Sequence, residues 1–249
     1  MTHNFSLTGK TILVTGGSSG IGRQTAVTLA KLGAKLIITG RNTEQLQETL
    51  SLLPENGHLS TSFDLVKTAQ LPELVAGLPP LCGLAHCAGI WKPCPVKFLK
   101  EQALQNLMHL NFVAPVMLTA ELLRQKKLLP GSSLVYISSV AAQHPYKGGS
   151  AYSASKAALE AFSKTLALEY AGKNIRANCI APAMVKTPIF DDTLNTVSEQ
   201  FMQAHVSAYP LRVGVPDDVA YAVAYLLSDA SGWITGSVLR LDGGLTVGS

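Results

Sequence analysis

The sequence predicts an α/β fold built on a doubly wound parallel sheet. Apolar, strand-like runs alternate with helix-like periodic segments along the whole chain of 249 residues. Several of the apolar runs are short and continuous, which is typical of strands buried on both faces. A glycine-rich turn separates the first run from the first helical segment. Together these observations indicate a single-domain, Rossmann-type sheet of about seven strands with helices on both faces.

The predicted elements follow one another in a regular order. Strands are expected at 11–15, 35–39, 59–63, 83–87, 133–138, 175–180 and 237–241. Helices are expected at 20–32, 43–53, 68–76, 101–127, 151–171, 198–207 and 216–229. Repeated strand–helix units require right-handed crossovers and therefore a parallel sheet between helices. The chain has no internal repeat or low-complexity linker, so we treat residues 1–249 as one domain.

One segment departs from this rhythm. Residues 182–215 contain Pro182, Pro188 and Pro210, with Pro216 just beyond, and only a weak helical pattern between them. An insertion that follows the carboxyl end of a strand is a candidate substrate lid, at about 186–214. The alternative is an ordinary surface excursion.

Composition excludes several classes of protein. Hydrophobic residues make up 47% of the chain and charged residues 14%, which argues against disorder. The net charge is +4, but the basic residues are spread out, and the cluster at 124–127 is typical of a solvated helix end. We therefore expect no nucleic-acid partner.

The location of the protein is predicted from its apolar runs. None approaches the roughly 20 residues that span a bilayer, and the N-terminal stretch is polar. We therefore expect a cytoplasmic protein without a membrane partner. The four cysteines, Cys82, Cys87, Cys94 and Cys179, form no CxxC pair. We expect reduced thiols and no metal site.

The glycine-rich turn in TILVTGGSSGIG, residues 11–22, is the first candidate site. A helix N-terminus at the end of a strand offers free N–H groups to an anion. Gly16 would let the chain turn off the strand, Gly20 would admit a diphosphate close to the backbone, and Gly22 would let the helix pack on the strand. A purely structural turn is the alternative.

The end of the second strand indicates the coenzyme. Units that bind NAD usually carry an acidic residue there, but this strand ends in IITGRN, with Gly40 and Arg41. A carboxylate would repel a 2′-phosphate, whereas a guanidinium pairs with it. Arg41 therefore favours NADP(H) over NAD(H), unless it is only a solvent-facing charge at a helix start.

A second cluster carries acid–base chemistry. Tyr152 and Lys156 are four positions apart and share one face of a predicted helix. Ser139 lies at the carboxyl end of a strand, where α/β sheets place their chemistry. A nearby ammonium lowers the pKa of a phenol from about 10, so we expect Lys156 to make Tyr152 a better acid.

With these residues in view, the sequence resembles the short-chain dehydrogenase/reductase family from about residue 6 to residue 244. TGGSSGIG at 15–22 resembles its glycine motif, SSV at 138–140 and YSASK at 152–156 resemble its Ser and Tyr-x-x-x-Lys, and HLNFVAP carries Asn111 where the family has an Asn. FDL at 63–65 and IAPAMVKTP at 180–188 resemble two further motifs.

The resemblance implies a role for each matching residue. Tyr152 would give a proton to a carbonyl oxygen, and Ser139 would orient that oxygen. Lys156 would bind the nicotinamide ribose, and Asn111 would kink its helix and hold a water that relays protons to Lys156. His144 would join Ser139 and Tyr152 on the substrate side. The coenzyme-binding residues would be Gly16, Ser18, Ser19, Gly20, Ile21, Gly22, Arg41, Asp64, Leu65, Ala88, Gly89, Tyr152, Lys156, Pro182, Val185 and Thr187.

Two departures from the family pattern stand out. The usual NNAG reads HCAG, with His86 and Cys87 in place of the asparagines, and Ala183 replaces a glycine after Pro182. The first change bears on the local stability of the sheet, because the first Asn normally bonds across the central strands.

The substrate is left open by the sequence. The nearest resemblance is to 3-oxoacyl-(acyl-carrier-protein) reductases, with Lys126, Lys127 and Lys173 placed to attract an acidic carrier. Alternatives are a reductase of a sugar or other small ketone, because Trp91, His144 and Tyr146 line the expected opening, and a non-catalytic NADP-sensing module. The apolar helices at 101–127 and 151–171 favour a homotetramer or, failing that, a dimer.

Overall fold

Seven strands form one parallel sheet in the computed structural model, which describes residues 4–188 and 199–247. In chain order they are β1 (Thr11–Thr15), β2 (Lys35–Gly40), β3 (Leu59–Ser62), β4 (Leu81–His86), β5 (Leu128–Ile137), β6 (Arg176–Pro182) and β7 (Val238–Leu241). Their order across the sheet is β3-β2-β1-β4-β5-β6-β7. The predicted fold class is confirmed.

Helices cover both faces of this sheet. They are α1 (Gly20–Lys31), α2 (Thr43–Ser51), α3 (Leu71–Ala76), α4 (Glu101–Met108), α5 (Ala114–Arg124), α6 (Ser150–Tyr170), α7 (Glu199–Ser207) and α8 (Pro216–Leu227). One buried cluster joins the sheet to α1 and α8, and another joins it to α3, α5 and α6. Along β1, Ile12 and Val14 belong to the first cluster and Leu13 to the second, which is why the strand reads as a continuous apolar run.

The chain reverses its direction across the sheet between β1 and β4. These strands are neighbours, with Thr15 opposite His86, although β2 and β3 lie between them in sequence. Parallel α/β sheets bind ligands in the crevice beyond the carboxyl ends of such a strand pair. The turn after β1 and the loop after β4 therefore form the walls of the candidate site.

The helix expected over 101–127 is interrupted. A π turn at His109–Val113 separates α4 from α5, and the helical run ends at Arg124 rather than at 127. Pro115 explains the interruption, because it has no N–H to donate to the carbonyl of Asn111 four residues earlier.

The same run bears on membrane insertion. Glu101–Arg124 is long and apolar enough to cross a bilayer by length and composition, so the prediction that no run approaches this size was wrong. About 44% of its most apolar window is buried inside the fold. Asn111 within it is 1% exposed and hydrogen-bonded to other parts of the protein. We therefore interpret the run as part of the core.

The candidate lid lies only partly within the described residues, since 189–198 fall outside them. Its described base is fixed to the fold. Val185 pairs with Gly214 in an isolated parallel bridge, and the hydroxyl of Tyr209 accepts a hydrogen bond from the Met184 N–H at 3.0 Å. The helix predicted at 198–207 is present as α7.

Candidate active site

The turn between β1 and α1 leaves no room for a Cβ at Gly16, Gly17 or Gly22. A Cβ on Gly22 would lie 2.1 Å from the carbonyl oxygen of Gly16. Gly16 has φ +69°, and a Cβ there would lie 2.8 Å from the backbone nitrogen of Ala88. The turn is therefore packed directly against the loop after β4, and backbone atoms form the floor of the crevice.

The N-terminus of α1 is suited to an anion. Ser19 occupies the N-cap position, and within the described residues no side chain caps the helix and no acidic residue lies in its first turn. Its first N–H groups and the positive end of its dipole therefore face the crevice without a protein acceptor supplied by a cap. This environment fits the diphosphate of a dinucleotide.

The crevice continues from this turn to the ends of β2, β3 and β4 and encloses about 850 Å³, including its open mouth. Twelve of the predicted coenzyme residues line it: Gly16, Ser18, Ser19, Gly20, Ile21, Gly22, Arg41, Asp64, Leu65, Ala88, Gly89 and Thr187. The sequence analysis missed Gly40, Phe63, Cys87, Ile90, Leu110 and Pro188, most of which adjoin a predicted residue in sequence. That adjacency is the signal that could have found them.

The remaining predicted coenzyme residues lie outside the lining of this crevice. Pro182 ends β6 and pairs with Leu241 of β7, and Val185 packs against the core cluster shared by α1 and α8. Tyr152 and Lys156 lie deeper, on α6. Of the predicted Val185 and Thr187 pair, only Thr187 faces the crevice, and it lies beside Gly20.

Arg41 lies exposed at the rim, just after β2. Its backbone is held by the Ser62 hydroxyl, which donates to the Arg41 carbonyl at 3.1 Å. The guanidinium is thus available to a phosphate that occupies the adenosine end of the crevice, and β2 presents no carboxylate beside it.

Asn111 and Lys156 meet at Gly89. A Cβ on Gly89 would lie 3.3 Å from Asn111 Oδ1 and 3.5 Å from Lys156 Nζ, so a larger residue there would press on the Asn111 amide. The Asn111 amide binds the backbone of Ile90 in both directions, donating to its carbonyl and accepting from its N–H at 2.9 Å each. Asn111 thereby joins the π turn to the loop after β4.

Ser139 follows β5 by two residues and hydrogen-bonds the Tyr152 side chain on α6. Ser139 caps a short 3₁₀ turn at Val140–Ala142, where its hydroxyl accepts from the Ala141 N–H at 3.2 Å. Burial raises the pKa of Tyr152 to about 12, while a hydrogen bond with Ser139 acts in the opposite direction. The phenol is therefore protonated at neutral pH and able to donate.

This result corrects the expectation that Lys156 lowers the pKa of Tyr152 in the protein alone. Lys156 Nζ donates to the Ile137 carbonyl at 2.8 Å and lies 5.7 Å from the centre of the Tyr152 ring. Burial lowers the pKa of Lys156 itself to about 8. Desolvation of the phenol thus outweighs the influence of the distant ammonium.

The substituted His86 bridges three elements. Its ring nitrogens lie 3.5 Å from the Thr15 hydroxyl on β1 and 3.4 Å from the Thr119 hydroxyl on α5. The ring stacks on Tyr136 of β5 with a centroid separation of 5.1 Å. Burial lowers the pKa of His86 to about 3, and the charge of Lys156 acts in the same direction. His86 is therefore a neutral structural residue.

The neighbouring Cys87 lines the crevice beneath the glycine turn. Burial raises the pKa of its thiol to about 12, and its sulfur lies 3.9 Å from the Thr25 hydroxyl. All four cysteines are free thiols. Within residues 4–188 and 199–247, no group of three or more His, Cys, Asp or Glu side chains is arranged to hold a metal ion.

Two loops close the side of the site expected to receive substrate. The Trp91 indole N–H donates to the Tyr146 hydroxyl, and the Cys94 N–H donates to the Gly148 carbonyl at 2.7 Å. Tyr146 covers the N-cap of α6, because a Cβ on Gly149 would lie 2.7 Å from its ring. His144 is half-buried in the same loop, and its backbone N–H donates to the Val140 carbonyl.

Comparison with known proteins adds three curated relatives. A family model described as enoyl-(acyl carrier protein) reductase matches residues 16–246. A tropinone reductase homolog of Arabidopsis thaliana is 38% identical, covering 98% of this chain and 94% of the relative. Carbonyl reductase family member 4 of Danio rerio is 36% identical, covering 94% of this chain and 96% of the relative. The 3-oxoacyl-(acyl-carrier-protein) reductase of Rickettsia prowazekii is 34% identical, covering 96% of this chain and 98% of the relative.

Solved structures give the same picture. A short-chain type dehydrogenase/reductase from Mycobacterium ulcerans superposes with a TM-score of 0.86 at 30% identity, covering 97% of this chain and 91% of that one. A dehydrogenase/reductase from Sinorhizobium meliloti 1021 superposes with the same TM-score and identity, covering 98% of this chain and 97% of that one. The fold therefore occurs in dehydrogenase/reductase proteins of similar length.

Proposed function

The chain belongs to the short-chain dehydrogenase/reductase family, and from this premise we propose that it is an NADPH-dependent reductase that converts a carbonyl to a hydroxyl group. The family is one of oxidoreductases that use nicotinamide coenzymes. One observation carries the proposal. A protonated Tyr152, hydrogen-bonded to Ser139, lies on the same helix as Lys156 beside a crevice with Arg41 on its rim.

The chain's own residues supply binding, orientation and a proton. A reduced nicotinamide coenzyme, when bound, supplies the hydride. Ser139 and Tyr152 both hydrogen-bond the carbonyl oxygen, and the Tyr152 phenol donates its proton as the oxygen becomes an alkoxide. Lys156, whose Nζ lies beside the lining residue Gly89, would hold the ribose of a bound coenzyme. Asn111, on the π turn, fixes the loop after β4 through its two hydrogen bonds to the backbone of Ile90.

Arg41 supports the preference for NADPH. Its exposed guanidinium follows β2 at the point where a coenzyme's adenosine would lie. We expect Arg41→Asp to raise the KM for NADPH at least tenfold and to improve the use of NADH, because a carboxylate repels a 2′-phosphate and accepts from ribose hydroxyls.

Lys67 provides a matched control for this change. It is also an exposed cation, and it follows closely in sequence on residues that line the crevice. Lys67→Asp should leave the ratio of kcat/KM for the two coenzymes unchanged. If Arg41→Asp still prefers NADPH to the wild-type extent, Arg41 does not read the phosphate.

The name of the Rickettsia prowazekii relative supports a 3-oxoacyl thioester as substrate, together with the resemblance of the sequence to such reductases. The expected carrier-docking cations need one correction. Lys127 Nζ donates to the carbonyls of Ala76 and Leu78 and thereby caps the end of α3, so it is held by the fold. Lys126 and Lys173 remain as candidates for contact with an acidic carrier.

A second substrate class has its own support. The hydrogen-bonded Trp91 and Tyr146 form an aromatic wall next to α6, which suits a compact ketone, and two relatives are named as tropinone and carbonyl reductases. A sugar or other small ketone therefore stands as the alternative, and a non-catalytic NADP-sensing module stands as a third.

An activity panel separates these functions. NADPH oxidation is followed with acetoacetyl thioester, cyclic and linear ketones, a keto sugar and, for the reaction named in the family model, crotonyl thioester. A kcat/KM for acetoacetyl thioester at least tenfold above the others supports the first substrate class, and the reverse supports the second. NADPH binding without turnover of any compound would support the sensing module and overturn the proposed reductase.

Exposed apolar side chains near the edge of the sheet favour an assembly of several copies. Leu168 on α6 and the wholly exposed Trp233 lie near the edge strand β7, where a second copy would cover them. We propose a homotetramer, or a dimer if only this face is paired, in the cytoplasm.

A further inference from the structure

A buried carboxylate lies on α6 outside the residues assigned to chemistry. Glu160 is 5% exposed and follows Lys156 by one helical turn. Its Oε1 accepts from the Ser138 hydroxyl at 2.7 Å, and its Oε2 accepts from the Gln143 side-chain amide at 3.2 Å. Burying a carboxylate costs free energy unless its oxygens are hydrogen-bonded, so these two contacts explain how it is tolerated.

Both partners of Glu160 flank Ser139. Ser138 precedes it, immediately after β5, and Gln143 follows the 3₁₀ turn that Ser139 caps. The segment that presents the Ser139 hydroxyl is therefore fastened at both ends to one carboxylate. That carboxylate is carried by the same helix that presents Tyr152.

We propose that Glu160 is a positioning residue, which fixes the Ser139 segment against α6 and so sets the distance between the Ser139 and Tyr152 hydroxyls. The proposal rests on the proposed function and deepens it. An apolar side chain at 160 would fill the same space without desolvating a charge, but it would leave the Ser139 segment attached to the helix by packing alone. Because general acid catalysis depends on positions within fractions of an ångström, such loosening reduces turnover.

The test compares variants that remove the contacts from either side. Glu160→Ala removes both acceptors, and Ser138→Ala and Gln143→Ala each remove one donor. We expect kcat for carbonyl reduction to fall between about tenfold and a hundredfold in Glu160→Ala and by less in the other two. The Kd for NADPH, measured by fluorescence, should change less than about threefold, because the hydrogen-bond partners of the Glu160 carboxylate, Ser138 and Gln143, do not line the crevice.

Glu160→Gln is the matched control. Its side-chain oxygen still accepts from Ser138, and the Gln143 amide can turn to offer its oxygen to the new NH₂ group. We expect it to retain at least about a third of wild-type kcat. If Glu160→Gln loses as much as Glu160→Ala, the charge rather than the hydrogen-bonded geometry matters, and the proposal is wrong.

Two further outcomes decide the proposal if Glu160→Ala folds poorly. Ser138→Ala and Gln143→Ala leave α6 intact, so lowered kcat with unchanged NADPH binding in these variants supports positioning. Wild-type kcat in both, with only a lower melting temperature, would show a purely structural role. Wild-type protein that reduces no carbonyl in the activity panel contradicts the proposed function instead, whereas an active wild type with unaffected variants contradicts this inference alone.

Discussion

Tyr152 shows how the protein environment decides the behaviour of a single residue. A tyrosine and a lysine four positions apart suggest a phenol made acidic by a neighbouring charge, but burial dominates and raises the pKa of Tyr152 to about 12. For reduction this is useful, because the phenol keeps its proton over the whole neutral range and can give it to a developing alkoxide. The charge that would ease its release lies on Lys156, on the same helix.

We expect Tyr152→Phe to lower kcat by at least about a hundredfold, since proton transfer from a positioned group contributes 10²–10⁴-fold. NADPH affinity should change little, because the hydroxyl lies beyond the crevice lining. Steady-state kinetics and fluorescence titration measure the two quantities. Tyr170→Phe, near the far end of α6, is the control, and turnover of Tyr152→Phe within tenfold of wild type would remove Tyr152 from its role.

The sequence allowed prediction of residues whose role follows from local geometry. Gly16 and Gly22 were identified because a strand leads directly into a helix, and the structure leaves no space for a Cβ at either. The pKa of Tyr152 and the buried partners of Glu160 could not be predicted in this way. Both depend on which distant segments surround α6, and no local pattern encodes that.

At the scale of elements, the turn between β1 and α1 is the most constrained connection in the site. Its backbone touches the loop after β4, so the two walls of the crevice are fixed relative to each other by direct contact. The strands β1, β2, β4 and β6 were predicted to within two residues because their apolar runs are largely buried, whereas β5 begins at Leu128, five residues before its predicted start at 133. The π turn at His109–Val113 lies where the family resemblance implied a kink at Asn111. The helical periodicity alone did not predict it, because Pro115 equally permits a kink or a helix end.

We expect Gly22→Ala to lower the melting temperature and to weaken NADPH binding at least tenfold, because its Cβ would overlap the Gly16 carbonyl and displace the turn. Gly172→Ala is the matched control, since no atom lies within 4 Å of a Cβ there. It should leave both quantities unchanged. Calorimetry and fluorescence titration distinguish the two, and a harmless Gly22→Ala would contradict this packing.

At the scale of the whole molecule, His86 links the centre of the sheet to a covering helix. Thr15, His86 and Tyr136 occupy paired positions on β1, β4 and β5, and Thr119 reaches them from α5. The ring must remain neutral to fit there, so the stability of the entire fold becomes sensitive to acid.

The sign of this dependence follows from the lowered pKa of His86. Below about pH 6.5 the unfolded chain binds a proton at His86 that the folded chain, with a pKa of about 3, does not bind. Stability is therefore lost as the pH falls from about 6.5 towards 3, by up to about 1.4 kcal/mol per pH unit. His86→Asn lacks this titration. Urea unfolding of both proteins between pH 7 and 4.5 should show wild type losing stability faster, and parallel curves would contradict the burial of a neutral His86.

The surface of the molecule carries the proposed assembly. Trp233 is fully exposed and Leu168 is 82% exposed, and a Cβ on Gly236 before β7 would lie 3.6 Å from Ala167. We expect Leu168→Glu combined with Trp233→Glu to reduce the mass measured by light scattering to that of a smaller assembly. Leu52→Glu, an exposed leucine at the end of α2, should not. A wild-type monomer, or an unchanged mass in the double variant, would contradict the interface.

The sulfur of Cys87 has a consequence for the chemistry that the crevice tolerates. Oxidants and alkylating agents attack the thiolate, and a thiol with a pKa near 12 holds almost none of it at physiological pH. Cys87 therefore behaves as a small apolar side chain. The part of the crevice wall that Cys87 forms should therefore resist oxidation and alkylation.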